Sequence, residues 1–184
     1  RVLVDMPIGL PEQGERACDH AARACLKARR SSIFITATRA ALYADTYAAA
    51  NEINRANGGK GISKQAWNIA YKIRELDALL RTTPRAATRV HESHPEIALW
   101  ALAGREMVYN KKTHVGRTER LALLAEQYAH TPTLYADAIQ RYRRKDVAGD
   151  DILDALVLAI TAQSAALVTL PAPPPQDGQG LPMA

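Results

Sequence analysis

An uninterrupted apolar run opens the chain and ends on a carboxylate. Residues 2–4 are Val-Leu-Val, Asp5 follows, and the stretch 6–11 contains two prolines and a glycine that cannot continue a strand. A buried parallel strand has this continuous apolar pattern. We therefore predict a strand over 2–5. Residues 89–93 give the second strand candidate, and we expect the two strands to lie side by side and parallel.

Helical periodicity dominates the rest of the chain. Within the predicted helices we expect Asp45 to be an internal cap and Asp150 to be the N-cap of the last helix, whereas residues 31–35 form a short β-like connector. Pro and Gly after residue 170 predict an irregular tail over 171–184, which leaves a single domain over 1–170. The predicted helices cover residues 12–28, 39–57, 63–80, 95–103, 117–128, 131–144 and 150–168.

Composition narrows the fold class to helix-rich α/β. The 184 residues are rich in alanine and include only one phenylalanine, which disfavours a sandwich or a barrel. The net charge of +5 permits a phosphate-bearing partner without requiring one. Cys18 and Cys25 lie two helical turns apart, about 10 Å, which is too far for a disulfide. We therefore expect a reduced, cytoplasmic protein, and Asp154 within the longest apolar run argues against a membrane span.

Four carboxylates occupy positions suited to a metal site. Asp5 and Glu92 fall at the ends of the predicted strands, and Asp151 and Asp154 fall in the first turn of the last helix. Ligands of open α/β sheets bind at the carboxyl ends of the strands, and converging carboxylates suit Mg²⁺ or Mn²⁺. Such ions activate water and stabilise the leaving oxygen of a phosphodiester. The alternative is that each acid caps a turn or a helix.

Other polar residues each have two interpretations. His94 is either a general base or ligand, or a structural histidine at the start of a helix. Arg29 and Arg30 either solvate a helix end or, with the hydroxyl of Ser31, hold phosphate oxygens, and Lys111 and Lys112 lie in a basic loop suited to phosphate contacts. Glu96 is expected to provide only favourable charge in the first turn of its helix.

Seven segments carry a resemblance to a known family. The chain resembles a widespread uncharacterised domain of unknown function, commonly described as a predicted nuclease of ribonuclease H-like fold. The resemblance implies that Asp5 is the fourth-strand carboxylate, that Glu92 ends the fifth strand, and that Asp151 or Asp154 is the last-helix carboxylate. The segments are VDMPIGLPE (4–12), RACDHAAR (16–23), RRSSIF (29–34), NEINRANGGKGISKQAWNIAYKIRELD (51–77), ESHPEIALWAL (92–102), KKTHVGRTERLALL (111–124) and DDILDAL (150–156).

The resemblance also implies a segment before Arg1. Family members have an N-terminal strand with hairpin partners, so we expect the antiparallel half of the sheet to be missing from this chain. A sheet edge exposed in this way favours association, which predicts a homo-oligomer.

The function that these observations predict is metal-dependent nuclease activity on a nucleic acid. Asp5, Glu92 and Asp151, with Asp154, would hold Mg²⁺ or Mn²⁺. The alternatives are an ATP-dependent phosphotransferase on the same fold, which would need a phosphate loop that is not evident here, and a non-catalytic nucleic-acid-binding or scaffold module.

Overall fold

The chain is helix-rich and has a small parallel sheet. A computed structural model describes residues 1–184, with strand β1 at Val2–Val4, strand β2 at Val90–Glu92, and a 3-10 helix at Lys27–Ser32. The two strands form one parallel sheet. The amide of Ser93 donates a hydrogen bond to the carbonyl of Val4 at 2.9 Å. The prediction of a helix-rich α/β chain with two parallel strands is confirmed.

Ten α-helices occupy most of the remaining residues. They are α1 Ala17–Cys25, α2 Arg39–Leu42, α3 Tyr47–Ala56, α4 Lys64–Asn68, α5 Ala70–Thr82, α6 Pro84–Ala87, α7 Pro95–Ala103, α8 His114–Gln127, α9 Thr131–Arg141 and α10 Gly149–Thr161. None of them is long and apolar enough to cross a membrane.

Two predicted long helices are each divided into two. The helix predicted over 39–57 breaks after Leu42, and Thr46 rather than Asp45 restarts it, because the Thr46 hydroxyl accepts the amide of Ala49 at 3.2 Å. The helix predicted over 63–80 begins with Ser63 as its cap, as expected, but is interrupted at Ile69. At Thr46 a local side-chain cap competes with helical periodicity and shortens the element.

The first and last predicted helices are shorter than expected. Residues 12–16 precede α1 without helical structure, and the connector predicted over 31–35 begins as the end of the 3-10 helix instead of as extended chain. The last helix ends at Thr161 instead of at residue 168. Directly after it, the amide of Ser164 donates to the carbonyl of Thr161 at 3.0 Å and forms a turn. Polar Gln163 and Ser164 interrupt the apolar run at this point and end the buried face.

The chain forms two compact units, each with its own core. The first unit comprises Arg1–Val4 and Ser93–Leu167, and the second comprises Asp5–Glu92 and Val168–Ala184. In the first unit, α10 packs against β1, α7, α8 and α9. The core of the first unit includes Ala98, Leu99, Met107, Leu124, Leu153, Val157 and Leu158. The core of the second unit includes Leu10, Ala37, Ala41, Leu42, Ala50, Ile62, Ala66, Ala70 and Ile73.

Candidate functional site

A buried loop over residues 7–11 is the centre of the second unit. All five residues of this loop are buried, so their backbone groups need partners inside the protein. Charged side chains far away in sequence supply two of these partners: Glu92 accepts the amide of Ile8 at 2.7 Å, and Asp177 accepts the amide of Leu10 at 2.9 Å. The amide of Arg39 donates to the carbonyl of Pro11 at 2.9 Å.

A buried arginine joins Glu92 to the start of α1. Arg16 is 2% exposed, and its two terminal nitrogens donate to the two carboxylate oxygens of Glu92 at 2.7 and 2.8 Å. Arg16 Nη1 also donates to the carbonyl of Ile8 at 3.0 Å, and Nη2 donates to Asp19 Oδ1 at 2.5 Å. Asp19 accepts the amide of Thr36 through its other oxygen at 2.7 Å. Glu92 therefore belongs to an internal ion-pair network, which we call the Arg16 cluster: Arg16, Asp19 and Glu92.

Burial changes the acid–base properties of this cluster. Burial raises the pKa of Glu92 above its ordinary value, while the charge and hydrogen bonds of Arg16 and the Ile8 amide act in the opposite direction. Burial also raises the pKa of the Cys18 thiol to about 12. A thiol with this pKa stays protonated at neutral pH, so Cys18 behaves as a packing residue and not as a nucleophile. Cys18 and Cys25 are both free, in agreement with the absence of a disulfide expected from their spacing.

A second arginine ties the C-terminal segment to the same loop. Arg39 donates to Asp77 and Asp177 through its two terminal nitrogens, and its Nε donates to Glu12 at 3.2 Å. Asp177 also accepts the amides of Gln179 at 2.8 Å and Leu181 at 2.9 Å. The Pro- and Gly-rich segment after 170 is therefore irregular, as predicted, but it contributes a buried carboxylate to the second unit.

The other predicted site residues of the second unit lie at its surface. Asp5 is exposed in the bend that follows β1. Arg30 and Ser31 are exposed within the 3-10 helix, where the carbonyl of Arg30 accepts the amide of Ile33 at 3.2 Å. Their proposed phosphate contacts stay a prediction.

In the first unit the structure brings two predicted site residues together. Lys111 Nζ donates to Asp154 Oδ2 at 2.6 Å, with about a third of the lysine side chain exposed. Burial lowers the pKa of Lys111, but the hydrogen bond and charge of Asp154, together with the charges of Asp150 and Glu96, raise it overall. Asp154 contacts the ammonium group directly, and Asp150 and Glu96 act on it only through their charge. We call these four residues the Lys111 cluster: Glu96, Lys111, Asp150 and Asp154.

Glu96 has a larger role than its position at a helix start suggested. Its Oε1 accepts a hydrogen bond from Arg120 Nη2 at 2.6 Å, and both residues are buried, with Arg120 at 0% exposure. Arg120 Nη1 donates to the carbonyls of Tyr109 and Gly116, both at 3.0 Å. The expectation for Glu96 is corrected in this respect. The sequence contained a signal that Arg120 is buried. Gly116, Arg120 and Leu124 are spaced four residues apart, which puts Arg120 on the same face of α8 as a glycine and a leucine.

The remaining predicted residues are at helix starts or in the loop before α8. His94 Nδ1 accepts the amide of Glu96 at 3.1 Å and caps α7, which supports the structural interpretation of this histidine. Ala148, not Asp150, occupies the N-cap position of α10, and Asp151 Oδ2 accepts its amide at 3.1 Å. The prediction that Asp150 is the cap is wrong, because the helix begins at Gly149 and the acid three residues past the cap reaches back to it. Lys112 is exposed.

Comparison with known families identifies the chain. A family model described as a protein of unknown function (DUF429) matches residues 1–177. The chain belongs to the DUF429 family. Neither the search of curated proteins nor the search of solved structures gave a match.

For this DUF429 member, the structure connects residues that sequence reasoning treated separately. It pairs Lys111 with Asp154, and it pairs Arg16 with both Glu92 and Asp19. Sequence reasoning missed these pairs. It arranges no group of three or more His, Cys, Asp or Glu side chains to hold a metal ion. The Arg16 cluster is a structural clamp on the buried loop. In the Lys111 cluster, Lys111 is partly exposed and is already paired with Asp154, and Glu96 is buried.

Proposed function

We propose that this DUF429 member is a cytoplasmic, metal-dependent nuclease with a ribonuclease H-like fold. The observation that carries the proposal is the Lys111 cluster, in which Asp154 binds the ammonium group at 2.6 Å and Asp150 and Glu96 stabilise its charge. Carboxylates that stabilise one cation in a partly exposed place offer hard oxygen donors to another. Mg²⁺ and Mn²⁺ prefer such donors.

The donor set suits an ion that is shared with a substrate. Mg²⁺ at phosphoryl-transfer sites is commonly held by one or two carboxylates together with substrate phosphates. Asp154 and Asp151 lie three residues apart on α10 and would be these carboxylates. When bound, such an ion supplies an activated water and stabilises the leaving oxygen of a phosphodiester.

The neighbouring cations are suited to hold the substrate. Lys112 is exposed beside Lys111, and both stand in the loop before α8. Lys111, once released from Asp154, would contact a phosphate oxygen, as would Lys112. His94, whose Nδ1 caps α7, would act as general base through its other ring nitrogen.

The test is a metal-dependence series on labelled single- and double-stranded DNA and RNA. Asp154→Asn and Asp151→Asn should each abolish Mn²⁺-dependent cleavage while the circular dichroism spectrum is retained. Asp137→Asn is the matched control, because Asp137 is an exposed acid on α9, outside the Lys111 cluster. Lys111→Ala should weaken binding and reduce the slope of log affinity against log salt by about 0.7 to 0.9, the contribution of one phosphate contact.

A non-catalytic binding module is the second candidate, and a specific observation favours it. Glu92 uses both oxygens on Arg16, and Asp154 is already paired with Lys111, so two predicted ligands have internal partners. Binding of nucleic acid without cleavage at any metal concentration would support the module and overturn the nuclease. Cleavage that persists in Asp154→Asn would reject the Lys111 cluster as the metal site.

A further inference from the structure

The end of α9 carries the densest positive charge of the first unit. Four of the five residues in Arg141–Lys145 are cations, and all five are exposed. Asp146 neutralises only Arg143, through a hydrogen bond from Nε at 2.7 Å. Arg144 and Lys145 have no carboxylate partner. A charge density of this kind on an exposed surface attracts a polyanion.

An exposed aromatic side chain lies within this group of cations. Tyr142 is 50% exposed, and the guanidinium of Arg141 lies 6.0 Å from the centre of its ring. Tyrosine rings stack on nucleobases, and arginine next to such a ring contributes a cation–π interaction. The bases of a duplex are already stacked on each other, so a ring at a helix end contacts an unpaired base more readily.

The backbone beneath these side chains is ordered. The amide of Tyr142 donates to the carbonyl of Ala138 at 3.0 Å, and the carbonyl of Arg143 accepts the amides of Asp146 at 2.8 Å and Val147 at 3.1 Å. At the other end of α9, buried Thr131 donates its hydroxyl to the carbonyl of Tyr128 at 2.6 Å. The cations therefore project from a fixed helix end and turn, which reduces the entropy lost on binding.

We propose that Arg141–Lys145 is a binding surface for single-stranded nucleic acid. Arg141, Arg144 and Lys145 contact successive phosphates, and Tyr142 stacks on an unpaired base. The surface deepens the proposed function, since it assigns the substrate class and the place where the strand is held. An anionic membrane would match the charge, but its headgroups offer no base on which the Tyr142 ring can stack.

The experiment measures binding in the absence of cleavage. Fluorescence anisotropy in EDTA follows labelled single-stranded DNA and RNA of about 12 nucleotides, the matching duplex, and vesicles with and without phosphatidylserine. Arg144→Ala/Lys145→Ala should reduce the slope of log affinity against log salt by about 1.4, since each phosphate contact on a single strand contributes about 0.7. Tyr142→Ala should weaken binding at least about fivefold at every salt concentration, and Tyr142→Phe should retain it.

Matched controls separate this surface from general charge and aromatic content. Lys60→Ala/Arg85→Ala removes two exposed cations of the second unit, and Tyr128→Ala removes an aromatic residue of similar exposure beyond the other end of α9. Both controls should bind like the wild type. Wild-type affinity in both Arg144→Ala/Lys145→Ala and Tyr142→Ala, no binding of single strands, or a preference for anionic vesicles would each overturn the proposal. The binding assay in EDTA does not depend on catalytic metal. A failure of the proposed nuclease activity would therefore leave the result of this binding test unchanged.

Discussion

At the scale of single residues, both units depend on buried arginines paired with carboxylates. Arg16 is paired with Glu92 and Asp19, and Arg120 is paired with Glu96. Removing one partner of a buried pair leaves an unpaired charge and typically costs about 3–5 kcal/mol of stability. These arginines also donate to backbone carbonyls, so each one organises a loop as well as balancing a carboxylate.

A substitution of Glu92 tests whether this residue is a structural clamp or a metal ligand. Glu92→Gln keeps the shape of the side chain but loses the charge that balances Arg16, and we expect the free energy of unfolding to fall by about 3 kcal/mol. Urea denaturation followed by circular dichroism measures this. The control is Glu12→Gln, whose carboxylate pairs with Arg39 at an exposed position and should cost less than about 1 kcal/mol. Unchanged stability together with lost metal-dependent cleavage would show that Glu92 is a ligand instead of a clamp.

At the scale of elements, α8 organises the loop that precedes it. Glu119 accepts the amides of Val108 at 2.9 Å and Tyr109 at 3.0 Å. Gly116 lies so close to the loop that an added Cβ would stand 2.0 Å from the carbonyl oxygen of Asn110, which explains the absence of a side chain there. The basic residues of this loop therefore have positions set by one face of α8.

The Glu119 carboxylate, which holds this loop, makes the stability of the folded protein depend on pH. Burial alone would raise the pKa of Glu119, but the amides of Tyr109 and Val108, together with Arg105, lower this pKa in the folded protein. A lowered folded-state pKa means that the stability from this group is present above the unfolded pKa, about 4.3, and is lost as pH falls through the lower folded value. Glu119→Gln should therefore lower the melting temperature at pH 6, and the difference from the wild type should shrink towards pH 3.

Thermal melts from pH 3 to pH 6 measure this effect. The matched control is Glu126→Gln, which removes an exposed acid from the last turns of the same helix and should leave the pH profile unchanged. A Glu119→Gln difference that is constant across this range would contradict the role assigned to the Glu119 carboxylate.

At the scale of the whole molecule, both units are built from chain segments that are distant in sequence. The second unit takes its last 17 residues from the C-terminus, 168–184. Asp177 from this segment has a side chain with 0% exposure and accepts the amide of Leu10, 167 residues away. The irregular segment is therefore a component of the second unit.

Loss of Asp177 should destabilise the second unit. Asp177→Ala leaves the amides of Leu10, Gln179 and Leu181 without their acceptor and removes one of the carboxylates that pair with Arg39. We expect a loss of about 3–5 kcal/mol. Trp67 lies in the second unit and Trp100 in the first, so single-tryptophan variants report each unit during urea denaturation. The transition reported by Trp67 should move to lower urea in Asp177→Ala and stay in place in Asp146→Ala. An unchanged Trp67 transition would show that the segment contributes no stability.

The sequence by itself determined the local features of this protein. The apolar run at 2–4, the cap Ser63 and the periodicity of the helices predicted the helix-rich α/β class and most elements, because propensity and capping depend on neighbours within a few residues. The spacing of Cys18 and Cys25 also predicted correctly that they form no disulfide with each other. Where two local signals competed, the residues predicted from the sequence, Asp45 and Asp150, were wrong, and Thr46 and Asp151 make the hydrogen bonds at those helix starts.

Only the tertiary structure decided which distant charges meet. Glu92 and Arg16 are 76 residues apart, and Glu96 and Arg120 are 24 apart. No sequence periodicity connects such positions, because the partner of a buried charge depends on which elements pack together. A carboxylate is buried only where a cation or hydrogen-bond donors offset the cost of removing it from water. For this reason Glu92 resembled a ligand at a strand end in the sequence, and in the folded chain it holds Arg16 and the buried loop.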